Sequence, residues 1–228
     1  MGNLTFILEL FGTVAFAISG AITGIRKNMD ILGVCVLGVV TAIGGGITRD
    51  VLLGALPPAV FTHPVYLYVA VIASLVMFVP VLRSALFANH KLFDLLLLLT
   101  DSIGLGIFTV VGVGATVAAG YGENMLLCVF MGTLTGVGGG VLRDVLAGDV
   151  PYIFVKHIYA LAAAAGAFVC CICHSFTELG VSYIGGFIVV FLLRLCAAHF
   201  RWDFLPFFRF CYLYIYIIMF LIFHIHYL

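Results

Sequence analysis

The stretch Gly38-Val39-Val40-Thr41-Ala42-Ile43-Gly44-Gly45-Gly46-Ile47-Thr48-Arg49-Asp50-Val51-Leu52-Leu53-Gly54 returns later in the chain. There it reads Gly132-Thr133-Leu134-Thr135-Gly136-Val137-Gly138-Gly139-Gly140-Val141-Leu142-Arg143-Asp144-Val145-Leu146-Ala147-Gly148. Extended to Pro57 and Pro151, 11 of 20 positions are identical at a constant offset of 94. His63 and His157 keep that offset. Upstream the offset becomes 92, pairing Glu9 with Asp101, Gly12 with Gly104, Phe16 with Phe108 and Gly20 with Gly112. Self-similarity of this kind marks two copies of one structural unit.

Composition says what solvent the units meet. Of 228 residues, 64% are hydrophobic and 9% charged, with mean hydropathy +1.29. Soluble domains carry about 25% charged residues, so lipid is the expected solvent. Ten basic and ten acidic residues cancel, and no basic stripe suggests nucleic acid. The N-terminus has neither a charged n-region nor a small-residue cleavage site.

About 20 apolar residues cross a bilayer as a helix. Seven such spans are expected: 3–25, 31–55, 64–87, 92–115, 123–147, 154–174 and 180–200. The predicted fold is an all-α polytopic membrane protein: two inverted three-helix repeats plus a seventh transmembrane helix. Its divisions are 1–90, 91–177 (inverted), 178–206 for the seventh helix, and an apolar tail over 207–228. The inversion follows from counting, because three spans per unit force the second copy to enter from the opposite side. One face of the bundle, with the N-terminus and loops 56–63, 116–122 and 175–179, has no Lys or Arg. The other holds Arg26, Lys27, Arg83, Lys91, Lys156, Arg201 and Arg209. The positive-inside rule puts the N-terminus outside and the end of helix seven in the cytoplasm.

The glycine triplets fall mid-span, where each glycine costs about 1 kcal/mol relative to alanine. Two explanations stand side by side. Gly38, Ala42 and Gly46, like Gly132, Gly136 and Gly140, follow the small-xxx-small spacing of tight helix crossings. Alternatively the triplets break the helix and free carbonyls to line a polar path. On the second reading Thr41, Gly44, Gly45, Gly46, Thr48, Thr135, Gly138, Gly139 and Gly140 border an ion path, although each threonine has its own helix backbone as an alternative partner. Leu142 replaces Thr48 in the second copy, so any path is only approximately symmetric. Charges inside a span are costly and face polar interiors. Arg49, Asp50, Arg143 and Asp144 therefore form a gating or anchoring network, with Glu9 and Asp101 as partners of the arginines. Neighbouring residues on a helix point about 100° apart, so the two Arg-Asp dipeptides are not expected to pair internally.

Other chemistry finds little support. Seven cysteines lie in apolar stretches and read as packing residues. Cys170-Cys171-Ile172-Cys173-His174 formally fits the haem-attachment spacing, but it ends a hydrophobic helix and has no second axial ligand. His63 and His157 read as helix-end residues. No metal spacing, Walker loop, nucleophile elbow or catalytic dyad occurs, so neither an enzyme nor a bound cofactor is expected.

The paired Gly-Gly-Gly-x-x-Arg-Asp-Val-Leu-x-Gly motifs resemble the prokaryotic branch of the trimeric intracellular cation (TRIC) channels, whose bacterial members often carry a glycine transporter domain label. The resemblance extends from residue 1 to about 206, including Trp202-Asp203-Phe204-Leu205-Pro206. It implies a seven-helix subunit in a homotrimer embedded in membrane lipid, in a bacterial plasma membrane. It also implies a pore in each subunit between kinked second and fifth helices, permeable to potassium or sodium. A secondary transporter or facilitator of a small amino acid such as glycine is the alternative, since broken inverted repeats serve both classes.

Overall fold

A computed structural model describes residues 3–80, 90–155 and 158–200. Arg83, Lys156, His157, the motif around Trp202 and the tail 207–228 lie outside the described residues. Among the described residues every regular element is a helix. It runs α1 (Asn3–Arg26), α2 (Ile31–Leu52), a one-turn α3 (Ala59–Thr62), α4 (Val65–Met77), α5 (His90–Thr116), α6 (Met125–Leu146), a one-turn α7 (Tyr152–Val155), α8 (Ile158–His174) and α9 (Leu179–His199). The long helices α1, α2, α5, α6 and α9 each carry a membrane-crossing apolar run. The shorter α4 and α8 are apolar as well. The protein is an integral membrane protein.

Several boundaries differ from expectation. Helix α2 ends at Leu52, because Gly54 adopts φ +70° and closes a left-handed cap. Gly54 N–H donates to the Val51 carbonyl and Ala55 N–H to the Asp50 carbonyl. Gly148, also at φ +70°, ends α6 in the same way, with Asp149 N–H donating to the Asp144 carbonyl. Only glycine takes this conformation without strain, which explains why both copies keep it. Helix α5 runs on past its expected end through a wide π-type turn, Val117–Tyr121. The expected span 154–174 is divided between α7 and α8.

Helices α1, α2 and α4 pack together, as do α5, α6 and α8. The two sets meet through α1 on α5 and α2 on α6, and α9 packs on α8 and α5. The apolar core sits at that meeting plane. Phe16 of α1 stacks on Phe108 of α5 with centroids 5.3 Å apart, so two repeat-equivalent side chains touch each other. Leu126, Phe130, Ile184 and Leu192 point outward and are exposed, as lipid-facing residues should be.

Helices α2 and α6 pass through their glycine triplets without interruption. This corrects the expectation of a break. The reason is their crossing. A Cβ on Gly45 would come within 2.3 Å of the Thr135 carbonyl oxygen, and one on Gly139 within 2.1 Å of the Thr41 carbonyl oxygen. The contact is reciprocal between equivalent positions. Continuous backbone-on-backbone packing therefore offsets the propensity cost of the glycines.

Candidate functional site

Two charge clusters form where α2 and α6 end. In the first, Arg49 Nη1 donates to Glu9 Oε1 (3.3 Å) and Arg49 Nε to Asp50 Oδ1 (2.8 Å). Tyr66, in the first turn of α4, donates its hydroxyl to Glu9 Oε2 at 2.6 Å. In the second, Arg143 Nη1 donates to Asp101 Oδ1 (2.6 Å) and to Ser19 of α1, and Arg143 Nε donates to Asp144 Oδ1 (2.9 Å). Arg143 Nη2 lies 2.8 Å from Asp144 Oδ1 as an ion pair, but its angle makes no hydrogen bond.

The structure thus brings Glu9 to Arg49 and Asp101 to Arg143. It also pairs each arginine with its own neighbouring aspartate, against expectation. The long guanidinium stem folds back along the helix end, and an angular separation of Cβ atoms does not limit so long a side chain. Each aspartate has a second task. Asp50 Oδ2 accepts the Ala59 N–H that opens α3, and Asp144 Oδ2 accepts the Tyr152 N–H that opens α7. The Arg-Asp dipeptide is therefore a corner piece: one residue holds an inward acid, the other pins the helical turn that follows.

Four members escaped the sequence reading: Ser19, Tyr66, Tyr159 and Arg194. Tyr66 and Tyr159 are equivalent at an offset of 93, one short of the motif's own, so a one-residue shift hides them. Tyr159 donates to Asp101 Oδ1 at a long 3.4 Å. Arg194 comes from α9, outside the repeats. It donates to Asp101 Oδ2 (3.4 Å) and lies 4.7 Å from the centroid of the Tyr159 ring. Its one signal was a lone cation inside an apolar span.

The threonines have made local bonds. Thr41 donates to the Leu37 carbonyl, Thr48 to Gly44 and Thr135 to Met131, each four residues back. The glycines divide their work. Gly45 and Gly139 form the crossing, with Gly138 against the Gly45 backbone. Gly44 leaves room for the Leu142 side chain. Gly46 opens on a chamber of about 30 Å³, also lined by Glu9, Arg49, Asp50, Tyr66 and Phe108. Its counterpart Gly140 is covered by the Tyr159 hydroxyl, which a Cβ would approach to 2.5 Å.

Beyond Glu9 and Arg49 the chamber is followed by a vestibule of about 640 Å³. Its walls include Thr5, the 53–57 corner, Gly114, Ala118, Ala119 and Tyr183. One cation there faces two carboxylates, beside space large enough for water. The second cluster balances two cations against two carboxylates, with Arg143 at 1% and Asp101 at 0% exposure. Among the described residues, no group of three His, Cys, Asp or Glu side chains is placed to hold a metal ion. His63 borders the vestibule.

The family model described as glycine transporter matches residues 6–81 and 98–175, one match for each helix set. A UPF0126 membrane protein of Deinococcus radiodurans is 42% identical over 188 residues, covering 81% of this chain and 84% of the relative. The UPF0126 inner membrane protein YadS of Escherichia coli K12 is 38% identical, covering 88% and 93%. Among solved structures, the TRIC trimeric intracellular cation channel orthologue from Rhodobacter sphaeroides superposes with a TM-score of 0.80 at 31% identity, covering 88% of this chain and all of that one. A TRIC structure solved to explain conductance through these cation channels gives 0.72 at 39% identity, covering 86% and 94%. The chain belongs to this TRIC family, whose sequence model bears the glycine transporter description.

Proposed function

From that membership we propose that the chain is a cation channel, not an enzyme, and that it passes monovalent cations, chiefly potassium. The observation that carries the reading is the Glu9–Arg49–Asp50 cluster, where two carboxylates share one cation and line both the chamber and the vestibule. A site with surplus negative charge at a low-dielectric wall concentrates cations. The path enters by the vestibule, passes Tyr66 and Glu9 into the chamber at Gly46, and continues along the α2–α6 crossing to Arg143. In this arrangement the Phe16–Phe108 stack and the Arg143 cluster close it. The glycines serve the path by letting two helices approach, and Gly46 alone of the triplets gives it open volume.

The assembly is a homotrimer, like the trimeric channel from Rhodobacter sphaeroides, with one path in each subunit, and it sits in a bacterial inner membrane. The two helix sets are inverted repeats. The N-terminus lies outside and the end of α9 in the cytoplasm, as the Lys/Arg asymmetry directs. Lys27 and Asp149, from loops assigned to the cytoplasmic side, form an ion pair.

The test is flux through liposomes holding the purified full-length chain. A potassium gradient should set the reversal potential, and labelled glycine should neither accumulate nor exchange. Glycine uptake without a potassium-set potential would overturn the channel reading in favour of an amino-acid transporter.

A further inference from the structure

The left-handed residues of the two helix sets fall in matching places. Asn28 (φ 56°) ends α1 where Gly120 (φ 88°) closes the turn after α5, at the upstream offset of 92. Gly54 and Gly148, both at φ +70°, match at the offset of 94. The residue just before the first of these positions is Lys27 in one copy and Ala119 in the other. The residue just after the second is Ala55 in one copy and Asp149 in the other. Both alanines wall the vestibule, Ala55 from the corner after α2 and Ala119 from the end of α5. Their counterparts are charged and joined: Lys27 Nζ donates to Asp149 Oδ1, across 122 positions of sequence. Thr5, at the start of α1, lines the vestibule, so the α1–α2 turn that carries Lys27 lies one helix length away from it.

The backbone holds the two corners alike. Asp149 N–H donates to the Asp144 carbonyl as Ala55 N–H does to that of Asp50. Lys27 N–H donates to the Thr23 carbonyl, which keeps the lysine on the last turn of α1. Small side chains therefore leave a gap between corner and helix end in one place, and an ion pair spans the matching gap in the other. We propose that the Lys27–Asp149 pair is a releasable latch across the second mouth of the path, closing by charge the place that two alanines leave open at the vestibule. This rests on the channel reading.

The corner that Asp149 belongs to also carries the second charge cluster. Asp144 accepts from Arg143, and Arg143 donates to Ser19 of α1. Holding the 147–151 corner against the end of α1 thus keeps Arg143 seated between the two helices. Releasing it lets the corner move off α1 and gives ions a way past Arg143. The latch side chains are 32% and 44% exposed, against 1% and 0% for Arg143 and Asp101. Water competes for both latch charges, so this is the ion pair at that end that opens readily. A partly exposed pair shifts an open–closed balance by up to about five-fold.

The test compares potassium flux through liposomes holding the full-length wild type, Lys27→Gln, Asp149→Asn, or the exchanged pair Lys27→Asp with Asp149→Lys. Each single change should raise flux by about two- to five-fold, and the exchanged pair should return it toward the wild-type rate. Opposite effects of the two single changes overturn the latch, because a lone charge repels or gathers cations at a mouth, whereas a latch opens whichever partner is lost. Unchanged flux in both, or an exchanged pair as fast as the single changes, overturns it as well. Amide hydrogen exchange over residues 147–150 on the same samples should quicken in both single changes and slow again in the exchanged pair. Quickened exchange with unchanged flux shows a tie that guards no mouth, and unchanged exchange shows no tie. No potassium flux even in the wild type defeats the channel reading instead, and the exchange rates still judge whether the pair holds the corner.

Discussion

The two charge clusters share a plan and differ in one acid's length, in the Ser19 hydroxyl that only the second one holds, and in one visitor. The first uses glutamate at position 9, and the second a shorter aspartate at 101. The longer acid reaches Tyr66 at 2.6 Å and leaves Gly46 uncovered. The shorter one draws Tyr159 down over Gly140 and still leaves their bond at 3.4 Å. Into that looser cluster comes Arg194 from α9, which has no counterpart in the first set. The result is one cluster with surplus negative charge and a water-sized chamber, and another that is neutral and sealed. Near-identical motifs thus give an open end and a closed end. The lesson is that residues around the motif, rather than the motif, set what each end does.

The strongest way to break the comparison is to remove each arginine. Arg143→Met should cost about 3–5 kcal/mol, the range for stripping one partner from a buried pair. Arg49→Met should cost about half of that, because water from the vestibule can solvate Glu9 and Asp50. Thermal unfolding in detergent measures both, and equal losses would show the two ends to be equally dry. Gly139→Leu comes next, at about 3 kcal/mol, the upper end of overpacking, since its side chain meets a backbone oxygen that cannot move aside.

Arg194→Gln sharpens the comparison by making the second cluster resemble the first. Its unfolding penalty should be about 1–3 kcal/mol, the range for a charge-assisted hydrogen bond. Potassium flux should rise several-fold, and unchanged flux would show that the sealed end does not limit passage. Tyr66→Phe should cost about 1 kcal/mol and Tyr159→Phe about half as much, because only the former loses a short hydrogen bond. The smallest effect separates the last glycines. Gly46→Ala should raise stability by up to about 1 kcal/mol through helix propensity while narrowing the chamber and slowing flux. Gly140→Ala should not be stabilising, because Tyr159 has to move.

Much of this was legible before any coordinates. The offset repeat exposed two helix sets, and the acids at 9 and 101 were recognisable as partners of the arginines. What misled was the triplet. Three glycines weaken a helix and also let another backbone touch it, and sequence spacing alone cannot separate these effects. Continuity of α2 and α6 depends on a neighbour 94 positions away. The aspartate caps on α3 and α7 were invisible because they join a helix end to a turn not yet placed. Tyr66, Tyr159 and Arg194 stood outside the conserved offset, although Arg194 announced itself by its charge.

The stacking of Phe16 on Phe108, and the matched approach of Gly45 to Thr135 and Gly139 to Thr41, bear on how this protein can be redesigned. Phe16 touches its own duplicate, and each crossing glycine meets the threonine carbonyl of the other copy, so the two sides of these contacts change together. Varying one member alone samples mostly mismatched shapes, whereas a library that mutates both members together samples complementary ones. Combinatorial screens of this bundle should therefore couple positions 16 with 108, 45 with 135 and 139 with 41, treating each couple as a single design variable.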